Sequence, residues 1–290
     1  LNSITISFRI SLFCSNFAIK YNRLCLFRIT MCHNSLTERT ALLLGEEAVQ
    51  RLGAASVLVV GVGGVGAYAA EMICRAGIGS MTIVDADCVA PSNINRQLPA
   101  LTSTVGQEKV NVLGKRLNDI NPALNLRCMA EYVDAESVPA LLDGGKFDFI
   151  VDAIDTISPK VSLICGALDR KIPIISSMGA GAKTDISKIR TADVWETYNC
   201  GLSRAVRQAL KKRGYSRRKL QVVFSTEPPD MQAVMAVTGE RNKKTTVGTV
   251  SYMPAAFGCH LAQYVITHIA GTNRNGTRTH AGTANSRANH

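Results

Sequence analysis

The chain has 290 residues, 46% of them apolar and 19% charged, with a formal net charge of +11. That is chain enough for one sizeable core and too apolar for a disordered polymer, and no apolar run approaches the ~18 residues that a membrane-spanning helix needs. The charge itself excludes little: Arg9, Lys20, Arg23 and Arg28 lie in an acid-free stretch at 1–37, six more basic residues lie in an acid-free stretch at 241–290, and the middle is close to neutral.

Residues 1–37 read as a disordered leader or as untranslated upstream sequence. The opening "ITISFRISLF" has the Ser- and Arg-containing, acid-free composition of a mitochondrial transit peptide, while the first methionine, Met31, offers a later start. From Glu38 the pattern changes. "LLLGEEAVQRL" is a helical approach, "SVLVV" a short apolar strand, and Gly64 to Arg75 a helix. "MTIVD" is a second strand ending at Asp85, followed by the polar stretch "ADCVAPSNINRQLPALTSTVG". A helix from Gln107 carries Val110, Leu113, Leu117 and Ile120 on one face and stops at Asn121-Pro122. "NLRCMA" is a third strand, "ESVPALLDG" a short helix, and "FDFIVDAID" a fourth strand, a near-continuous apolar run expected where both faces are covered. Residues 159–170 read as helix and "KIPIISS" as a fifth strand. Strands alternating with helices predict an α/β fold: a doubly wound, mostly parallel, Rossmann-like sheet with a C-terminal extension. Its ligands would sit at the carboxyl ends of the strands. The polar tail, 272–290, is expected to be disordered. Nine cysteines, none in C-x-x-C spacing, remove the usual zinc ribbon and thioredoxin-type motifs and read as reduced thiols of an intracellular protein, with cytoplasm and mitochondrion both open.

Gly61, Gly63 and Gly66 match G-x-G-x-x-G, with Gly64 added, between a strand and a helix. One glycine permits the tight turn, one the approach of phosphate, one close helix–strand packing, and the helix N-terminus adds amides and partial positive charge. Asp85, 19 residues after Gly66, suits a carboxylate bonding a ribose hydroxyl. The motif does not separate NAD from ATP. The following "SNINRQ" does, because Asn93 and Arg96 supply donors where charge builds on phosphates during nucleotidyl transfer, and hydride transfer needs no such pair. Lys109 sits in the first turn of a helix, against the macrodipole, a placement that a polyphosphate would explain. Asp152 and Asp155 close the fourth strand. Asp155 is the expected Mg²⁺ ligand, and Asp152 a cap for the segment after the strand.

Together, "VVGVGGVGAYAAEMICRAGIGSMTIVDADCVAPSNINRQ", "VGQEKV" and "VDAIDT" resemble the adenylating domain of ubiquitin-activating enzymes and their bacterial relatives. The resemblance implies contacts from Asp85, Asn93, Arg96, Lys109 and Asp155 to ATP or its metal. It also implies that Arg39, in "ERTALLLGEEAV", reaches the ATP of a partner subunit, hence a homodimer. "ISSMGAGAKTDISKIRTADVWET" and "VVFSTEPP" are similar to the branch that acts on tRNA, the threonylcarbamoyladenosine dehydratases, and extend the resemblance over an adenylating unit at 38–271. The implied reaction is ATP-dependent cyclisation of threonylcarbamoyladenosine in tRNA through an acyl-adenylate. The alternative is activation of the C-terminus of a ubiquitin-like or sulfur-carrier protein. An NAD-dependent dehydrogenase and a non-catalytic binding relative are the readings from other classes.

Residues 203–221 add eight basic residues and no acid: Arg204, Arg207, Lys211, Lys212, Arg213, Arg217, Arg218 and Lys219. Arg204, Arg207 and Lys211 share one helical face, with Val206, Ala209 and Leu210 towards the other, which suits phosphate contacts to an RNA stem. "YNCGL" departs from the branch, whose members tend to have an acidic residue and proline there. Cys200 is read as a loop residue rather than a thioester nucleophile. His260 and His268, on one helical face with Tyr264, are read as packing residues.

Overall fold

The computed structural model describes residues 36–216, 218–236 and 245–271. The expectations for the leader before residue 36, for Arg217 and for the tail at 272–290 lie outside the described residues. Seven strands form one sheet: β1 (Ser56–Val60), β2 (Ser80–Val84), β3 (Asn125–Met129), β4 (Phe149–Asp152), β5 (Ile174–Ser177), β6 (Ile189–Asp193) and β7 (Gln221–Ser225). Their order is β3-β2-β1-β4-β5-β7-β6. Every neighbouring pair is parallel except β6 and β7. Beyond the expected doubly wound sheet, an antiparallel edge and a small two-stranded antiparallel sheet, β8 (Val234–Ala236) with β9 (Thr245–Val247), make up part of the C-terminal extension.

The helices divide the sheet's side chains into two cores. α1 (Glu38–Leu44) and α2 (Glu46–Ala54) are split by Gly45, whose φ of +93° ends one and starts the other. α2, α3 (Gly66–Arg75), α4 (Lys109–Ile120) and α8 (Tyr252–Ala270) cover one face, packing Leu52, Ile73, Leu113 and Phe257 against Val57, Val59, Phe149 and Val151. α5 (Ser137–Asp143), α6 (Ile157–Asp169) and α7 (Gly201–Lys212) cover the other, packing Leu142, Leu163 and Val206 against Leu58, Val60 and Ile150. Alternate residues of one strand thus feed opposite cores, as the period of two requires. That is why β1 and β4 are apolar except at Ser56 and Asp152 and buried along nearly their whole length.

The connections from β1 and β4 leave on opposite faces, to α3 and to α6, so a crevice opens between their carboxyl ends. α8 closes in on the turn beside that crevice. A Cβ on Gly258 would lie 2.6 Å from the Val65 carbonyl, so only glycine lets α8 come backbone-close to the start of α3. Among the described residues, no helix is long and apolar enough to cross a membrane.

Candidate functional site

A cavity of about 1100 Å³ occupies the crevice. Gly61, Gly63, Gly64, Asp85, Asn93, Arg96, Lys109 and Asp155 all line it, from the carboxyl ends of three strands, β1, β2 and β4, and from the loop and helix start that follow β2. The glycine turn is a built cradle. Gly61 has φ +86°, and a Cβ there would meet the Ala153 carbonyl at 2.8 Å. A Cβ on Gly66 would lie 1.8 Å from the Gly61 carbonyl, so the turn can fold back on itself only around a bare backbone. α3, a ten-residue helix with no side-chain cap, starts there, and its N-cap residue Val65 lines the cavity, so its positive amino end faces the crevice.

Asp85 leaves the end of β2 with both carboxylate oxygens engaged: Oδ2 accepts from the Val62 amide and Oδ1 from the Asp87 amide, each at 2.8 Å. It therefore ties the glycine turn to the second strand while each oxygen keeps a lone pair for a ribose hydroxyl. Burial pushes its pKa up, and the Lys109 charge opposes the rise. Lys109 is itself buried, and its Nζ donates to Asp87 Oδ2 at 2.7 Å. The ammonium at the start of α4 is thus already matched by a carboxylate, which the sequence reading of a polyphosphate alone did not include. Asp87 was missed; the strand-end "DAD" was its signal.

Asn93 Oδ1 accepts from the Ala90 amide at 3.0 Å and fixes the short 3-10 turn Pro91–Asn93. The Arg96 side chain lies along Gly64, with its Cγ 3.6 Å from where a Cβ would stand. Its Nη1 donates to Ser92 O and Asn95 Oδ1, both at 2.8 Å, so the guanidinium is held on its own loop at the rim of the cavity. Asp155 is exposed in the cavity at the end of β4. No group of three or more His, Cys, Asp or Glu among the described residues could cage a metal. A lone carboxylate beside a phosphate cradle does fit Mg²⁺, which binds through one or two carboxylates plus substrate phosphates.

Asp152 does cap the segment after β4, its Oδ1 accepting from the Ile154 amide at 3.1 Å, and it has a partner the sequence reading missed. Lys160 of α6, fully buried, donates its Nζ to Asp152 Oδ2 at 2.7 Å, to Ser176 Oγ at 3.0 Å and to Ser177 O at 2.9 Å. A second missed lysine, Lys183, two residues after the Gly179–Gly181 wall, is buried and donates to the carbonyls of Asn199, Ser225 and Glu227. Burial holds its pKa below the usual lysine value. The signal for both was a lysine inside or beside an apolar run, where solvation is not on offer.

The remaining expected site residues lie outside the cavity. Arg39 is exposed on α1, and the residue before α1's first turn, Thr37, packs on Gly77 at the amino end of β2. A strand of five residues, about 17 Å, separates that end from its own crevice. Arg204, Lys211, Lys212, Arg213, Arg218 and Lys219 are exposed on and after α7. Arg207, expected on their face, is half-buried, its Nη1 donating to the Thr197 hydroxyl and to the carbonyls of Thr197 (2.9 Å) and Val194 (3.2 Å). Cys200 is the N-cap of α7, its Sγ accepting from the Ser203 amide at 3.5 Å. His268 packs edge-on to Phe149, ring centroids 5.1 Å apart.

Comparison with known proteins agrees with this geometry. A profile described as the ThiF family matches residues 37–289. The tRNA threonylcarbamoyladenosine dehydratase of Bacillus subtilis is 42% identical over 191 residues, 66% of this chain and 74% of that protein. The enzyme of that name from Haemophilus influenzae is 34% identical over 229 residues, 76% of this chain and 87% of that protein. The crystal structure of E. coli tRNA N6-threonylcarbamoyladenosine dehydratase in complex with ATP superposes with a TM-score of 0.74 at 32% identity, covering 81% of this chain and 93% of that one.

Proposed function

The chain belongs to the ThiF family, and we propose that it is an ATP-dependent tRNA threonylcarbamoyladenosine dehydratase. The single observation that carries the reading is the crevice in which the glycine turn, Asp85, Asn93, Arg96, Lys109 and Asp155 line one cavity. The catalytic unit is residues 38–271.

The chemistry follows from what such a cavity can do. ATP lies with its phosphates on the glycine turn and its ribose towards Asp85. The substrate's threonyl carboxylate attacks the α-phosphate, the mixed anhydride forms, and pyrophosphate leaves. A nucleophile within the same modified adenosine then attacks the acyl carbon and AMP leaves, carrying the carboxylate oxygen with it. The net loss is one water. No protein nucleophile is required, because both attacking groups belong to the substrate. The protein's work is positional and electrostatic. Arg96 moves from two neutral acceptors to the phosphates, and Lys109 shares its charge between Asp87 and the triphosphate. Mg²⁺, held by Asp155, supplies charge neutralisation of the phosphates when bound.

Two further parts complete the reading. Arg39 serves the site of a second subunit in a homodimer. Its distance from its own cavity supports this, as do Leu42 and Leu43, 76% and 72% exposed on the same helix. The exposed basic residues on and after α7 hold the tRNA backbone through salt-sensitive contacts, with Arg207 buttressing the helix rather than touching RNA. ATP and tRNA are available in cytoplasm and mitochondrion alike, and the enzyme works in one of them.

The test is mass spectrometry of nucleosides from threonylcarbamoyladenosine-containing tRNA after incubation with protein and ATP. A product lighter than substrate by one water, formed with stoichiometric AMP and pyrophosphate, is expected. Pyrophosphate exchange driven by a small carrier protein instead of tRNA would transfer the protein to the carrier-activating branch. Tightly held nicotinamide cofactor with no ATP dependence would end the adenylation reading.

A further inference from the structure

We infer that Lys160 is a positioning residue for the metal-binding carboxylate: its buried ion pair with Asp152 sets the backbone that aims Asp155 into the cavity. The inference rests on the proposed roles of ATP and Mg²⁺ at this site and names the residues that hold the site in register.

Both side chains are fully buried. All three Nζ hydrogens of Lys160 have acceptors, in Asp152 Oδ2, Ser176 Oγ and Ser177 O. Asp152 Oδ2 also accepts from Ser176 Oγ at 2.6 Å, and its Oδ1 turns to the Ile154 amide. One ammonium thus binds the carboxyl ends of β4 and β5, whose continuations, Ala153 to Thr156 and Ser177 to Gly181, are two walls of the cavity.

What this network holds is tight. The Ala153 carbonyl lies 2.8 Å from where Gly61 would carry a Cβ, and the Ala153 methyl lies 3.0 Å from the same point on Gly66. The backbone between Asp152 and Asp155 is therefore wedged against the phosphate turn on one side and tethered by Asp152 on the other. Asp155 is exposed in the cavity and its side chain makes no hydrogen bond among the described residues, so its direction follows the backbone that carries it. A buried ion pair is a poor stabiliser, because desolvation offsets most of its attraction and an apolar pair of similar volume often does as well. Its use here is geometric: a charge pair with every donor satisfied has one arrangement, and an apolar plug would have several.

The experiment measures ATP affinity with and without Mg²⁺ on purified full-length protein, with a thermal melt of each variant. The variants are the charge-neutral pair Lys160→Met with Asp152→Asn, and the milder Ser176→Ala. In the pair variant the enhancement of ATP affinity by Mg²⁺ should fall about tenfold, a change of one decade for about 1.4 kcal/mol. Metal-free ATP affinity should change less than about threefold. Ser176→Ala, which removes the two hydrogen bonds that Ser176 Oγ makes with Lys160 and Asp152, should move the same ratio in the same direction by about threefold. A purely structural pair would lower the melting temperature and leave the Mg²⁺ enhancement of the folded protein at the wild-type value. That result in Ser176→Ala, or in a folded pair variant, overturns the inference. A wild-type protein that binds ATP equally with and without Mg²⁺ overturns the metal role of Asp155, and this inference with it. A wild type that binds no ATP at all overturns the adenylation reading beneath both.

Discussion

Arg96 illustrates how a single side chain is prepared for a ligand. Its stem is held against Gly64, and its Nη1 is satisfied by two neutral acceptors on its own loop. A phosphate oxygen forms a shorter, charge-assisted bond and outcompetes them without disturbing the fold. Arg96→Ala should therefore reduce turnover by about 100- to 1000-fold, the size of a lost charge-stabilising donor, with an unchanged melting temperature. Near-normal nucleoside conversion by that variant would remove Arg96 from the mechanism. At this scale the sequence was informative where function is local. The glycines, Asp85, Asn93 and Arg96 lie within one strand–turn–helix–strand and the loop that follows it. It was silent where the partner is distant. Lys109 and Asp87 are 22 residues apart, and Lys160 meets Ser176 from another strand. Nothing in the spacing of "SPKVSLICGAL" says which acceptors wait for that lysine.

Between α3, which begins at the phosphate turn, and α4, which begins at Lys109, a charge cluster fixes the relative placement of the two helices. Glu71 of α3 is buried, and its carboxylate accepts from Arg75 Nε (2.8 Å) on its own helix and from Arg116 Nε (2.6 Å) on α4. Burial alone would raise the Glu71 pKa, but the hydrogen bonds and charges of Arg116 and Arg75 together outweigh it and hold the carboxyl below its usual value. A carboxyl depressed in the folded state stabilises at pH above its unfolded value and loses that contribution as pH falls through the folded one. Glu71→Gln should cost about 1 kcal/mol near neutrality, both guanidinium groups being half in solvent, and the difference from wild type should begin to shrink as pH falls below about 4 and vanish only below the still lower folded value. Denaturant melts of both proteins across that range check it; a pH-independent difference would mean that packing, not charge, is what the substitution removes. Element boundaries follow the same logic of local and distant causes. "FDFIVDAID" reads as one strand, but β4 stops at Asp152 because that side chain turns back onto the Ile154 amide. The two approach helices were legible as helical, and their break lies at the one glycine between them.

At the scale of the whole molecule, the strand–helix alternation was enough to fix the class of sheet, because each apolar strand declares two covered faces. It did not fix what completes the sheet. The antiparallel β6–β7 edge, whose paired residues lie 28 to 36 apart, and α8 pressed against the glycine turn, where Gly258 meets Val65 across 193 residues, depend on contacts that no local pattern encodes. The same long-range geometry bears on Arg39. Its helix joins the body at the amino end of the strands, where Thr37 meets Gly77, while the phosphate cradle is at the carboxyl end. Thr37, two residues before Arg39, is packed on Gly77 at that end, so the catalytic role proposed for Arg39 is one exerted on another subunit. Two variants, Arg39→Ala and Arg96→Ala, should then each be inactive alone. Mixed in equal amounts and allowed to exchange subunits, they should recover about a quarter of wild-type activity, since half the dimers are mixed and one site in each has both arginines. The recovered rate should scale with the fraction of mixed dimer as the ratio is varied, peaking at equal proportions. Activity that stays at zero across the series, with subunit exchange verified by labelled protomers, would return Arg39 to the surface of its own chain.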